Sequence, residues 1–261
     1  NGKIQIDLTA YQGKDLKADL LRRDFTVNAL AYPVSALPQI VVTPRKNDTA
    51  HILLKRLQKK LIIDKSSGLA DLSAKVIDRT GPRVFQDDPL RMLRAFRSAA
   101  ELGFSIAPRT LAQIKKDHPL IVQSAGERVH EELDRLFATS KAYENLVLMD
   151  KCGLLTALFP ELEPQRTCAE VYYGKGGVFS HTLAVFARME YLLDHLPKAF
   201  PKYAKKLAPY AQNKPLYKMA ALLHDVAKPA TAKVMGDRLR FFYHEEKGAK
   251  MAKTILERLH Y

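Results

Sequence analysis

The sequence predicts an α+β fold that is predominantly helical, and three observations carry that expectation. Residues 1 to about 80 mix short strand-like runs with polar turns, whereas helical spacing dominates from about residue 82 onward. Apolar residues recur at one-turn spacing in Leu90, Leu93 and Phe96, in Leu133, Leu136 and Phe137, and in Leu183, Phe186, Met189 and Leu193. Strand alternation and βαβ spacing are lacking after residue 80, which argues against a doubly wound parallel sheet.

Taken in order, Gly2 to Ala10 alternates polar and apolar residues (Ile4, Ile6, Leu8) like a strand in mid-sheet. Gly153 and Pro160 punctuate the end of the first helical block, and a connector from Pro164 through Gly177 follows. A new helical block opens at Ser180, and the stretch 195–215, rich in Pro, Lys and Tyr, reads as a break between helices. Thr254 to Tyr261 reads as a helix without a stop signal. With a first residue other than Met, both ends read as cut from a longer protein. The expected divisions are 1–80, 81–164 and 165–261, with no internal repeat.

Composition narrows the function classes. The 261 residues carry 42 Lys plus Arg against 28 Asp plus Glu, a formal net charge of +14, and 47% are hydrophobic. Such a chain is globular and favours a polyanionic partner, nucleic acid or a phosphate-rich ligand. No apolar run approaches the roughly 20 residues of a membrane span, so no membrane association is expected. Cys152 and Cys168 have no metal-binding spacing and fit free thiols in a reducing cytoplasm. Between Tyr32 and Asp64, the basic stretch 33–63 sets Arg45, Lys46, Lys55, Arg56, Lys59 and Lys60 against a lone Asp48. A solvated face and a polyphosphate contact both suit that pattern.

Three clusters carry chemistry. Arg22-Arg23-Asp24-Phe25-Thr26-Val27-Asn28 combines guanidinium forks for phosphate oxygens with an acid and an amide suited to sugar hydroxyls. An ion-paired helix start would look the same. In Asp87-Asp88-Pro89-Leu90-Arg91, Pro89 at the first helical position and Asp88 before it mark a helix start. Arg91, Arg94 and Arg97 then step along one side, and Asp88 with Arg91 offers an acceptor and a donor to one space, as a base edge requires. The bland alternative is a cap followed by a basic stripe. In the last block, Ser180-His181-Thr182 opens one helix, His224-Asp225 ends a second and His244-Glu245-Glu246-Lys247-Gly248 opens a third. Imidazoles and a carboxylate from separate helices suit a divalent metal. His51, His118, His130, His195 and His260 show no ligand spacing and read as surface or core residues.

The segments Arg22–Asn28, Asp64-Lys65-Ser66-Ser67-Gly68, Asp87–Arg91 and Glu127-Arg128-Val129-His130-Glu131-Glu132-Leu133 come in one order over residues 15–160. In this they resemble the bacterial/eukaryotic class of tRNA nucleotidyltransferases and poly(A) polymerases. That resemblance implies the last part of a small α/β nucleotidyltransferase head, then a helical neck and body. It implies that Arg23, Asp24 and Asn28 contact triphosphate and ribose, that Asp64 and Gly68 form a hinge, and that Asp88 and Arg91 read the incoming base. Arg94 and Arg97 would hold phosphates, while Glu127, Arg128 and Glu132 brace the reading helix. Asp87 stands where the family usually has Glu, and the Tyr32–Asp64 connection is longer than the family norm.

The family holds Mg²⁺ on an Asp-x-Asp pair upstream of the arginine motif. No Asp-x-Asp occurs in these residues, so no catalytic carboxylate is assigned within the chain, and Asp7 is a weak auxiliary candidate. The last block resembles the HD phosphohydrolase domain, with His181, His224, Asp225 and His244 as the implied metal ligands and a further acid expected beyond Tyr261. Together these resemblances imply a cytoplasmic enzyme that adds C and/or A to the tRNA 3′ end from CTP or ATP, with tRNA as partner. A poly(A) polymerase and a metal-dependent phosphohydrolase acting on RNA ends or cyclic nucleotides are the competing readings, with a silent RNA-binding fragment as a third class.

Overall fold

The computed structural model describes residues 10–11, 13–36 and 61–261. The strand expected over Gly2 to Ala10 lies almost wholly outside the described residues, and so do Asp7 and the six basic residues between Arg45 and Lys60. The chain divides into two compact units, 1–84 and 85–261, so the expected boundary near residue 164 falls inside the second unit.

In the first unit, α1 (Leu16–Leu21) starts where Asp15 accepts the Ala18 N–H at 2.7 Å. Strands β1 (Leu30–Ala31) and β2 (Ile63–Asp64) pair antiparallel, Leu30 opposite Asp64. Helix α2 (Gly68–Ala74) and strand β3 (Val76–Ile77) follow. Phe25, Ala29 and Ile77 are fully buried. Gly68 is dictated by close approach, since a Cβ there would stand 2.2 Å from the Thr26 carbonyl oxygen. Thr26 Oγ1 donates to Asp71 Oδ2 at 2.6 Å and fastens α2 to the same segment.

The second unit contains α3 (Arg91–Leu102), β4 (Ser105–Ile106), α4 (Pro108–Asp117), α5 (Gly126–Ala138), α6 (Ala142–Lys151) and α7 (Leu154–Leu158). It continues with α8 (Gly177–Asp194), α9 (Lys214–Leu223), β5 (Ala232–Met235), β6 (Arg238–Phe241) and α10 (His244–Arg258). Helix α5 packs between α3 and α9, and α9 packs on α8. The expected periodic residues supply this core: Leu93, Phe96, Leu133, Leu136, Phe137 and Phe186 are all fully buried. Phe137 meets Phe186 edge to face, with ring centroids 5.2 Å apart.

One buried charge crosses this core. Lys218 of α9 is 0% exposed, and its Nζ donates to Glu190 Oε2 of α8 at 2.7 Å and to the Thr139 carbonyl at 2.6 Å. Glu190 in turn accepts the Tyr143 N–H at the start of α6, at 3.2 Å. Burial draws the Lys218 pKa below its ordinary value even though Glu190 favours the charged form. Both charges are thus desolvated and satisfied by named partners.

Three expectations change. A β-hairpin, β5–β6, occurs where no strand was expected; its two-residue turn Gly236-Asp237 places Gly236 at φ 61°, a conformation glycine adopts without strain. Helix α8 opens at Gly177, three residues before Ser180. Helix α10 stops at Arg258 instead of running to the last residue: His260 turns to φ 58°, its carbonyl meets His130 Nδ1 at 3.0 Å, and the Tyr261 ring stacks on His130. No helix among the described residues is long and apolar enough to cross a membrane.

Candidate functional site

The arginine motif begins just after α1. Exposed Arg23 pairs with Asp19 one turn earlier, at 3.1 Å. Asp24 is only 6% exposed, and its Oδ1 accepts the Phe25 N–H at 2.8 Å and the Asn28 Nδ2–H at 3.2 Å. Asp24 therefore fixes the Asn28 amide from below, while Arg23 and Asn28 present their polar ends at the surface. Further along, the Asp64 carboxylate accepts N–H groups of Ser66 and Gly68, both at 3.0 Å, and of Leu69 at 2.9 Å. Partial burial pushes the Asp64 pKa up, but these backbone donors outweigh it and hold the carboxyl below its ordinary value. Asp64 and Gly68 thus make one tight cap on α2.

In the second unit, the turn Asp88-Pro89-Leu90 leads into α3, which begins at Arg91, two residues later than the expected proline start. Leu90, not Asp88, is the N-cap of α3, and Asp88 instead closes the turn before it: its Oδ1 accepts the Leu90 N–H at 3.2 Å and its carbonyl the Arg91 N–H at 3.1 Å. From α5, Arg128 grips the same carboxylate at both oxygens, Nη2 to Oδ2 at 2.8 Å and Nη1 to Oδ1 at 3.5 Å. Glu132 of α5 takes Arg97 Nε at 2.8 Å and lies 3.8 Å from Arg94 Nε. The structure thus brings Asp88, Arg94, Arg97, Arg128 and Glu132 together along the α3–α5 seam, beside Arg91.

Arg97 and Glu127 take places other than those expected. Arg97 is 8% exposed, and its guanidinium, shared between Glu132 and Glu101, braces the seam instead of standing open to phosphate. Burial lowers its pKa, and the two carboxylates reverse that and raise it. Glu127 faces His260 Nδ1 at 3.4 Å, because one helix position sends its side chain away from α3 toward the end of α10.

The imidazole–carboxylate cluster forms where α8 meets the turn after α9. His181 sits on the first turn and a half of α8; His224 caps α9 and Asp225 follows. Their ligand atoms form a triangle: His224 Nε2 to Asp225 Oδ2 is 3.1 Å, His181 Nε2 to Asp225 Oδ2 is 3.5 Å, and Nε2 to Nε2 is 3.4 Å. Atoms about 2.1 Å from one ion lie about 3.0–3.4 Å apart in octahedral or tetrahedral geometry, so the triangle fits a divalent cation. His224 Nδ1 is 2.9 Å from the Ala221 carbonyl, which fixes the proton there and leaves Nε2 as the lone-pair donor. Lys228 Nζ also reaches Asp225 Oδ2 at 2.7 Å and the Tyr173 hydroxyl at 2.7 Å.

Electrostatics follow from these contacts. Burial raises the Asp225 pKa, but His224 and Lys228 overcome it and bring it to about 2. A hydrogen bond from protonated His224 to the Asp225 carboxylate raises the His224 pKa against the opposing effect of burial, whereas burial lowers that of His181. Among the described residues, His181, His224 and Asp225 are the group able to share one metal ion, and His244 is outside it. His244 Nδ1 is 2.7 Å from the Phe241 carbonyl, so that ring closes the hairpin onto the start of α10.

Sequence reasoning missed the residue beneath this cluster. Gln165 is 0% exposed; its Nε2 donates to the Asp225 carbonyl at 3.1 Å and its Oε1 accepts from Thr182 Oγ1 at 3.0 Å. It ties the turn bearing Asp225 to the helix bearing His181. A lone glutamine between Pro164 and Arg166 carries no motif, and its partners lie 17 and 60 residues away.

Comparison with known proteins gives three matches in order. The family described as "Poly A polymerase head domain" matches residues 4–78, "Probable RNA and SrmB- binding site of polymerase A" matches 103–166, and "HD domain" matches 178–261. The chain is 32% identical over 263 residues to the CC-adding tRNA nucleotidyltransferase of Thermus thermophilus, covering 98% of this chain and 50% of that protein. It is 31% identical over 257 residues to the Multifunctional CCA protein of Actinobacillus pleuropneumoniae, covering 94% and 51%. The chain therefore spans about half the length of these curated relatives. A solved Bacillus stearothermophilus CCA-adding enzyme in complex with CTP aligns over 94% of this chain and 60% of its own at 20% identity and a TM-score of 0.47. Head, RNA-binding stretch and HD domain in this order, with Asp88 between the first two and His224-Asp225 inside the third, make the chain a member of the tRNA nucleotidyltransferase/poly(A) polymerase family that carries an HD domain.

Proposed function

We propose that this chain is the nucleotide-selecting and RNA-holding part of a tRNA nucleotidyltransferase that adds C and/or A to the tRNA 3′ end from CTP or ATP. The observation that carries this reading is the Asp88 carboxylate, gripped by Arg128 one helical turn before Arg91. A fixed acceptor beside a guanidinium donor can pair with the edge of a base and discriminate it. Arg128 sets the orientation of Asp88, Glu132 sets Arg94 and Arg97, and Arg23 and Asn28 meet triphosphate and ribose, with buried Asp24, expected to touch the nucleotide itself, acting through the Asn28 amide it holds. Asp64 and Gly68 serve as the hinge after the head, with neck and body over 81–164 and the HD part over 165–261. The acceptor stem lies along the basic neck and body, held through phosphates and shape. Mg²⁺ for nucleotidyl transfer is held by carboxylates outside these 261 residues, and the enzyme works in the cytoplasm, where Cys152 and Cys168 remain free thiols.

The test is 3′-end labelling by the full-length protein of tRNA lacking its terminal CCA, with CTP and ATP supplied separately. Incorporation that loses base selectivity in Arg91→Ala supports the reading. Absence of incorporation, or weakened binding with unchanged selectivity, contradicts it.

A second activity is favoured by the His181–His224–Asp225 triangle. These residues would hold a divalent ion, which supplies Lewis acidity toward a phosphate oxygen, giving a phosphohydrolase acting on RNA ends or cyclic nucleotides. Lys228 adds positive charge beside Asp225, and Gln165 holds the two metal-bearing elements in register. Hydrolysis of a 2′,3′-cyclic phosphate that disappears in His224→Ala supports this; equal hydrolysis by the variant leaves the triangle a structural feature.

A further inference from the structure

The thirty residues between Asp194 and Asp225 contain no acid and six lysines. Lys214 is paired with Asp194 and Lys218 with Glu190. The other four, Lys198, Lys202, Lys205 and Lys206, are exposed and form no ion pair among the described residues. The same stretch exposes three aromatic rings: Phe200 at 40%, Tyr203 at 60% and Tyr210 at 60%. These rings line a groove of about 720 Å³, with Leu196, Lys206 and Tyr217 among the walls. It lies between the end of α8, the one-turn helices Leu196–Ala199 and Ala204–Leu207, and the start of α9.

We propose that this groove is a binding surface for unpaired RNA, with bases stacked on Phe200, Tyr203 and Tyr210 and phosphates met by Lys198, Lys202, Lys205 and Lys206. Apolar walls alone would equally suit a protein helix, and the lysines decide between the two. Protein interfaces are depleted in lysine, whereas single-stranded nucleic-acid sites combine a positive track with exposed aromatic rings. Four unneutralised ammonium groups on one short segment match a repeating anion. Every base has a face that stacks on tyrosine, so the groove is tolerant of sequence. This surface is separate from the α3–α5 seam and does not depend on the nucleotide-selecting reading of Asp88 and Arg91.

Fluorescence anisotropy of the full-length protein with a labelled oligouridylate of about twelve nucleotides and with an RNA duplex of similar length tests the assignment. Tyr203→Ala with Tyr210→Ala should weaken oligouridylate binding about tenfold and leave duplex binding unchanged. Replacing the four lysines by Gln should flatten the dependence of log affinity on log salt by about 2–3, measured between about 50 and about 200 mM. The substituted side chains are exposed, and an unchanged thermal melt verifies that the variants fold. Oligouridylate affinity and salt slope that match the parent would overturn the proposal. So would variants that lose only the binding of an acidic amphipathic peptide, an outcome that assigns the groove to a protein partner.

Discussion

Arg128 on α5 and Asp88 in the turn before α3, 40 residues apart, meet through both ends of a guanidinium–carboxylate pair. The pair fixes the rotation of a carboxylate that would otherwise swing freely at the mouth of α3. Arg128→Ala should therefore reduce kcat/KM for nucleotide addition by about tenfold or more while the thermal midpoint barely moves. With Arg128 half exposed, its stability contribution stays within about 1 kcal/mol. Steady-state kinetics beside a thermal melt separates the two effects, and a large drop in stability would assign Arg128 to the fold instead.

Metal binding by the triangle is measurable without turnover. Titration of the protein with Mn²⁺ or Ni²⁺ should give one site, lost in His224→Ala and in Asp225→Ala and retained in His244→Ala. The last outcome follows from His244 Nδ1 being turned to the Phe241 carbonyl, outside the ligand group. Loss of the site in His244→Ala as well would place that ring among the ligands.

Gln165→Leu keeps the buried volume but leaves the Asp225 carbonyl and the Thr182 hydroxyl without their partner. The expected destabilisation is about 1–3 kcal/mol, with weaker metal affinity as the accompanying effect. Denaturant unfolding and metal titration of one variant check both. Unchanged metal affinity in a destabilised variant would limit Gln165 to packing.

Asp64 predicts an acid dependence. Its folded pKa is depressed by backbone donors, so its stabilisation is complete above the unfolded value of about 4 and is lost as pH falls through the folded value. Asp64→Asn should be less stable at neutral pH and show a shallower loss of stability below about pH 4. Equilibrium unfolding over that range is the measurement, and an unaltered slope would remove Asp64 from the acid transition.

Gly68→Ala brings a methyl group to 2.2 Å from the Thr26 carbonyl, a collision that only backbone movement relieves. Destabilisation of about 2 kcal/mol or more is expected, read by chemical denaturation.

Much of this was legible in sequence because periodic burial and capping are local. Leu90, Leu93 and Phe96 are buried as their spacing requires, and Asp88 closes the turn that leads into α3. His224 and Asp225 are neighbours in sequence, His181 precedes them by 43 residues at a helix start, and the three converge. What escaped depends on distant partners. Arg97 looked like a third arginine on a basic stripe, and only Glu132, 35 residues on, turns it inward. His130 and His260 carried no spacing signal, although the second curls back onto the first from 130 residues away. The hairpin over 232–241 had a local signal, Gly236-Asp237 between short alternating runs, overlooked among helices on either side.

Lys218 sets a limit on how this protein can be dissected. Its ammonium, sealed within α9, bonds the Thr139 carbonyl as well as Glu190, and Glu190 also receives the Tyr143 amide. A fragment begun after residue 151 to isolate the metal-binding half would keep both ions and discard two of the groups that satisfy them. Such a truncation would carry an undercompensated charge pair at its freshly cut face, so poor expression of the excised piece would report on the missing carbonyl and amide and not on the metal chemistry.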